Sequence, residues 1–294
     1  MLMLQMGGGL GNQMFQYALY RALQEKGKEV CIDDTTMFEK IGRHDNRLED
    51  IFPLTYCRAS KSEYNRLTDS SLAPWDRVRR KLFGRRELLH KEKDAITFEE
   101  KVFGETDCYL IGYWQSGRYF DQIEDKLRQD FCFDFGRFSN KANSYLTQIK
   151  QSPAVSLHVR RGDYLEEKFA PLYGGICTEA YYRSAIDYFR QKNADTVFYL
   201  FTDDKEWGRG FAGTEMILVE GTTAEEDMAL MSRCKGHILA NSSFSFWGAW
   251  LDPAPDKEVV MPAKWLNASE GQDIYYGLCS LKIDAEGSIV WERK

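Results

Sequence analysis

The run LMLQMGGGLGNQMFQYALYRALQEKGKEVCI, residues 2–32, decides the fold. Its apolar opening, residues 2–6, reads as a strand, and the glycines from Gly7 to Gly11 read as a turn. Met14, Phe15, Ala18, Leu19 and Ala22 then recur at helical spacing and form one stripe. Val30-Cys31-Ile32 reads as a second strand. Strand, glycine turn, helix and strand within about 30 residues make a βαβ unit, so the first part of the chain is α/β.

The second half repeats this rhythm. Strands are legible at 154–159, 197–201, 216–219, 237–240 and 258–261, with helical stretches around 178–191, 223–233 and 243–251. Alternation of this kind predicts a parallel sheet with ligands gathered outside its carboxyl ends. Ala285-Glu286-Gly287, between two alternating runs, predicts a terminal hairpin. At roughly 150 residues per domain, 294 residues imply two lobes. The expected boundary lies near 150, where residues 148–153 interrupt the pattern, giving an N-terminal lobe 1–150 and a C-terminal lobe 151–294.

Composition narrows the function. With 43% apolar and 29% charged residues the chain is ordinary for a globular protein. A net charge of −6 argues against a surface built for nucleic acid. The seven cysteines, at 31, 57, 108, 132, 177, 234 and 279, are unevenly spaced with no C-x-x-C pair, and read as reduced thiols. The segment Met1 to Met6 lacks a basic n-region, and no apolar run is long enough to span a bilayer, so a cytoplasmic protein is expected.

Four segments carry chemistry. Gly7-Gly8-Gly9-Leu10-Gly11-Asn12-Gln13 leaves a strand and opens a helix, where backbone N–H groups can face an anion or a sugar. A dinucleotide fingerprint fails here, because it needs glycine at Asn12 or at Met14. Asp33 nevertheless stands where a ribose-binding acid would, which leaves a dehydrogenase as a rival. A turn alone does not account for the amide pair Asn12-Gln13, expected to be exposed. In His158-Val159-Arg160-Arg161-Gly162-Asp163-Tyr164, alternation puts Ser156, His158 and Arg160 on one strand face, with Arg160 and Arg161 at its carboxyl end. Two guanidinium groups suit a pyrophosphate, and a structural Arg–Asp pair is the plainer alternative. Asp203 and Asp204 end another strand and read either as helix-capping acids or as groups at a nucleotide. No D-x-D occurs, and the histidines at 44, 90, 158 and 237 show no metal-ligand spacing. Asn241-Ser242-Ser243-Phe244 starts a helix and offers hydroxyls and N–H groups to phosphate, or is simply a serine cap.

Two further features stand apart. Trp75, Val78, Leu82 and Phe83 lie at helical spacing among Arg77, Arg79, Arg80, Lys81, Arg85 and Arg86. This suits a solvated surface helix or an interfacial one touching anionic lipid or a lipid-linked acceptor. Trp114, Gln115 and Gln13 offer an aromatic face and amides suited to an acceptor sugar, although Trp114 suits a core equally well.

Five ordered segments, GGGLGNQMFQYA at 7–18, GYWQSGRYF at 112–120, HVRRGDY at 158–164, FYLFTDD at 198–204 and ANSSFSFWGAWL at 240–251, resemble glycosyltransferase family 11, the α-1,2-fucosyltransferases, in its bacterial members. The resemblance implies a B-type glycosyltransferase fold, two Rossmann-like lobes facing a cleft, with the N-terminal lobe toward the acceptor and the C-terminal lobe holding GDP-fucose. It implies an inverting transfer of L-fucose from GDP-β-L-fucose to the 2-hydroxyl of a β-galactoside glycan, with no metal or other cofactor. Arg160 corresponds to the arginine that grips the diphosphate, and His158 and Asp163 flank it in the catalytic motif. Arg161, Asp203, Ser242, Ser243, Phe244, Gly11 and Asn12 complete the expected donor site, and Asp227 falls where an acid meets guanine. Asp163 is the candidate base, with Glu166 and Glu167 as substitutes; orienting Arg160 is its alternative role. The expected location is cytoplasmic, with peripheral contact at the inner membrane.

Overall fold

The computed structural model describes residues 1–41 and 48–293, and His44 lies outside the described residues. The chain divides into two compact units, Met1–Cys132 and Phe133–Lys294.

In the first unit, β1 (Leu2–Gln5), β2 (Val30–Asp33), β3 (Leu89–Lys91) and β4 (Tyr109–Ile111) form an all-parallel sheet in the order β2-β1-β4-β3. The helix Leu10–Glu25 crosses from β1 to β2, as the opening run predicts, and buries the stripe from Met14 to Ala22. The turn between them is tied across the sheet by Gln16. Its Oε1 accepts the Gly7 N–H at 2.9 Å, and its Nε2 donates to the Gly112 carbonyl at the end of β4, also at 2.9 Å. Gly8 sits at φ +79°, where a side chain would be strained.

In the second unit, β5 (Ala154–Val159), β6 (Val197–Thr202), β7 (Ile217–Leu218), β8 (Gly236–Ile238), β9 (Glu258–Pro262), β10 (Leu281–Ile283) and β11 (Ile289–Glu292) build one sheet in the order β11-β10-β9-β8-β5-β6-β7. Every pairing is parallel except the β10–β11 hairpin, which continues the sheet through β10 against β9. All six residues of β5 are buried, as in a parallel strand covered on both faces. Val155, Leu157 and Val159 pack with the helix Glu179–Lys192 in one core, whereas Ala154, Tyr199 and Phe201 pack with the helices Asn140–Lys150 and Ala224–Met231 in the other. From β5 the chain runs outward through β6 to β7, then returns beside β5 as β8 and runs the other way. The topological switch point therefore lies between β5 and β8.

Two expectations are corrected here. The boundary is at 132/133 and not near 150, because Tyr145, Leu146 and Ile149 of the helix Asn140–Lys150 belong to the second unit's core. Cys31 and Cys57 are joined in a disulfide, whereas all seven thiols were expected to be reduced. A parallel bridge of Ile32 with Arg58 lays this segment beside β2 and brings the two Cα atoms to 4.7 Å. Among the described residues no helix is long and apolar enough to cross a membrane.

Candidate functional site

At the switch point β5 delivers Arg160 and Arg161, β6 delivers Asp203 and Asp204, and β8 leads into Asn241, Ser242 and Ser243. Arg160 is gripped from two sides. Asp163 Oδ1 accepts from its Nε and Nη2, each at 2.9 Å, and Asp203 Oδ2 pairs with its Nη1 at 3.0 Å. Burial alone would lower the guanidinium's pKa, but these two carboxylates reverse the balance and raise it. The guanidinium also lies 5.8 Å from the centre of the Tyr164 ring. Asp203 does double service, accepting the Arg161 backbone N–H at 2.9 Å through Oδ1. Asp204 is the capping acid of the pair. It accepts the Trp207 N–H at 3.0 Å at the start of the helix Lys205–Ala212 and holds Arg161 Nε at 3.1 Å.

The motif loop is fastened to the serine turn. The Tyr164 hydroxyl donates to the Asn241 carbonyl at 2.9 Å, and Tyr164 stacks on Tyr173 with ring centres 4.5 Å apart. Ser242 caps the helix Ser243–Trp250, its Oγ accepting the Phe244 N–H at 3.3 Å. The Phe244 ring lies 5.5 Å from that of His158. Arg160 and the amino end of this helix therefore border the same strand end. Positive guanidinium charge and the positive end of a helix favour an anion there.

His158 is buried, its Nδ1 has no hydrogen-bond partner, and burial followed by repulsion from Arg160 pushes its pKa down to about 3. It is a neutral imidazole walling the strand end. Asp227, partly buried, accepts from the Thr222 hydroxyl at 2.5 Å, and burial raises its pKa to about 6. Lys205 influences both Asp227 and His158 electrostatically.

Among the described residues, His90 and His237 are structural. His237 bridges Ser156 Oγ at 2.8 Å and Asp252 Oδ2 at 3.1 Å, a Ser-His-Asp series with the wholly buried imidazole out of reach of any substrate. His90 sits between Glu99 and Glu105. Among the described residues no group of three or more His, Cys, Asp or Glu is placed to hold a metal ion.

In the first unit Gly11, Asn12, Gln13, Trp114 and Gln115 gather at the carboxyl ends of β1 and β4. Asn12 Oδ1 accepts from Gln115 Nε2 at 2.9 Å. Gln13 was expected to be exposed and is fully buried, its Nε2 donating to the Gly8 carbonyl at 2.8 Å. Trp114 is also fully buried, between His90 and Tyr119, and its ring presents no face to an acceptor in this conformation. Asp33, the acid a dehydrogenase would need, accepts from Tyr109 Oη at 2.6 Å and caps the turn at Thr35 and Thr36.

Sequence reasoning missed Glu92. Its carboxyl group accepts two backbone N–H groups, from Tyr113 at 2.7 Å and Trp114 at 2.9 Å, and clamps Trp114 at φ +58°. Burial raises its pKa to about 8, against the pull of those two N–H groups. A side chain on Gly112 would collide with it.

The sequence pattern of Glycosyl transferase family 11 matches residues 88–274. The chain belongs to glycosyltransferase family 11. The match takes in both the Glu92 clamp and the arginine cluster. Among relatives, an α-1,2-colitosyltransferase of Escherichia coli is 32% identical, the alignment covering 90% of this chain and 92% of the relative. The O-antigen biosynthesis glycosyltransferase WbnK of Escherichia coli is 32% identical over 88% of this chain and 93% of its own. Galactoside α-(1,2)-fucosyltransferase 1 of Saimiri boliviensis boliviensis is 27% identical over 83% of this chain and 63% of its own. This family-11 chain is a glycosyltransferase.

Proposed function

We propose that the protein is an inverting α-1,2-glycosyltransferase that moves L-fucose from GDP-β-L-fucose to the 2-hydroxyl of a terminal galactose. The observation that carries this reading is Arg160, held by Asp163 and Asp203 at the switch point beside the helix Ser243–Trp250. A diphosphate seated there meets a pre-positioned cation and a helix amino end as the glycosidic bond breaks. Stabilisation of this kind contributes on the order of 3 kcal/mol per donor. The α-1,2 linkage in the names of two relatives supports the regiochemistry.

Transfer without a metal is part of the reading. The acids that end β6 are already engaged by Arg160 and Arg161, so they are not standing free to ligate a divalent ion, which supports this reading. Asp227 is assigned to the guanine and the first unit to the acceptor. Asp163 is assigned to orienting Arg160, since one of its oxygens already accepts two guanidinium N–H bonds.

A second reading follows from the name of the colitosyltransferase relative: the same transfer with a colitosyl group in place of the fucosyl group. The deciding assay offers GDP-fucose and GDP-colitose in parallel to a β-galactoside such as lactose, with and without EDTA, followed by linkage analysis. An EDTA-resistant α-1,2-fucoside is expected. Preference for GDP-colitose moves the protein to the second reading, and consumption of neither donor rejects both.

A further inference from the structure

The helix Pro74–Phe83 buries none of its residues. Trp75, Val78 and Leu82 share one face at i, i+3 and i+7 spacing. Trp75 is 83% exposed, and Leu82 and Phe83 are each 69% exposed, with Leu72 and Leu88 exposed beside them. Soluble domains leave single apolar residues on the surface freely, but a contiguous cluster with tryptophan and phenylalanine marks a contact surface.

The way this helix is held explains the cluster. Its attachment is polar. Arg79 and Arg80 both pair with Asp69, and Arg80 also donates to the Ser71 carbonyl. Asp69, buried and at φ 51°, further accepts the Arg86 backbone N–H at 2.9 Å. An amphipathic helix ordinarily docks through its apolar stripe. Here the arginines dock and the apolar stripe is turned outward.

The charge around that stripe selects what covers it. Residues 72–88 carry six basic and two acidic side chains, in a chain whose net charge is −6. Arg77, Lys81, Arg85 and Arg86 are exposed around Trp75, Val78, Leu82 and Phe83. A second copy of the same face would set these cations against their counterparts, whereas an anionic bilayer neutralises them while accepting the aromatic and aliphatic side chains at its interface.

We infer that the helix Pro74–Phe83 and the basic turn after it form a docking surface for an anionic lipid membrane. The surface belongs to the first unit and the arginine cluster to the second, and the inference does not depend on which sugar is transferred. It brings a glycosyltransferase to acceptors displayed at a membrane surface.

The test is co-sedimentation of the full chain with vesicles of phosphatidylglycerol and phosphatidylethanolamine, against vesicles of phosphatidylcholine alone. Binding to the anionic vesicles is expected, weakened by high salt. Trp75→Ser/Leu82→Ser/Phe83→Ser and Arg77→Glu/Lys81→Glu should each lower the partition coefficient by roughly tenfold or more, on the scale of the attraction each near-surface cation contributes. Both variants should keep the parent's thermal unfolding and its turnover of a soluble acceptor. Equal binding by parent and variants, no preference for anionic lipid, or no binding overturns the inference. So does a lipid-free dimer that the triple variant dissolves, since the face then belongs to a second copy.

Discussion

Arg160 shows what a guanidinium does that an ammonium does not. Three of its nitrogens are engaged on two carboxylates, which fixes the plane of the group before any ligand arrives. Arg160→Lys keeps the charge and loses the fork, so kcat/KM for transfer should fall on the order of 100-fold, one donor's worth of transition-state stabilisation. Thermal unfolding should stay within a few degrees of the parent, because the pairs are partly solvated. Asp163→Asn should reduce turnover without altering the acid limb of the pH–rate profile; loss of that limb would make Asp163 the base and not the positioning residue. Glu92 is the first unit's counterpart. Its folded pKa of about 8 lies above the ordinary carboxylate value, so the folded state holds a proton that the unfolded chain releases. Stability associated with the neutral form is complete below about pH 4.5 and is lost as pH rises through about 8. Measured as parent minus Glu92→Gln in denaturant titrations, that loss should be on the order of 2 kcal/mol, because a partly exposed side chain realises less than the full linkage value. A flat difference from pH 4.5 to 8.5 would show that the clamp binds as a carboxylate throughout.

At the scale of elements, the sheet edge next to β2 is stitched by chemistry as well as by hydrogen bonds. The Cys31–Cys57 bond closes a loop with a sequence separation of 26, and Arg58 pairs with both Asp34 and Glu49 on the same edge. Thiol titration of the denatured, unreduced chain should therefore count five free groups, those of Cys108, Cys132, Cys177, Cys234 and Cys279. Cys31→Ser/Cys57→Ser should lower stability by about 2–4 kcal/mol, the usual worth of a crosslink across a loop of this length. A count of seven would mean that the chain as isolated keeps this edge reduced, and the double variant should then cost little. The redox state also bears on location, because a stable disulfide is unusual in a reducing cytosol.

Across the whole molecule, legibility followed range along the chain. The βαβ opening, the strands of the second unit and the arginine cluster were readable because alternation, helical spacing and residue type are local properties. The misplaced boundary, the disulfide and the burial of Trp114 depend on partners far away in sequence: the core that Tyr145 shares with Tyr199 and Phe201, the bridge from Ile32 to Arg58, and His90; Gln13 is held inward by the Gly8 carbonyl, a nearby contact that residue type and spacing do not announce. Glu92 stood in the run Lys91-Glu92-Lys93-Asp94, which reads as a solvated charge patch, and only the return of β4 beside β3 turns it into a clamp. The division into two units, each on its own sheet, supplies the most discriminating experiment. If the nucleotide sits at the switch point of the second unit, GDP in excess of its Kd should slow hydrogen exchange around 158–164, 203–205, 222–227 and 241–244. At 100 times Kd the binding-competent state gains about 2.7 kcal/mol, enough to slow exchange there by roughly 100-fold where the bound form is the protected one. EDTA should leave that protection in place. Residues 14–33 should change much less, because Asp33 is already spent on Tyr109 and the Thr35–Thr36 turn. Protection centred on 7–33, with 158–164 unchanged, would transfer the nucleotide to the glycine turn of the first unit and overturn the assignment of Arg160 to the diphosphate.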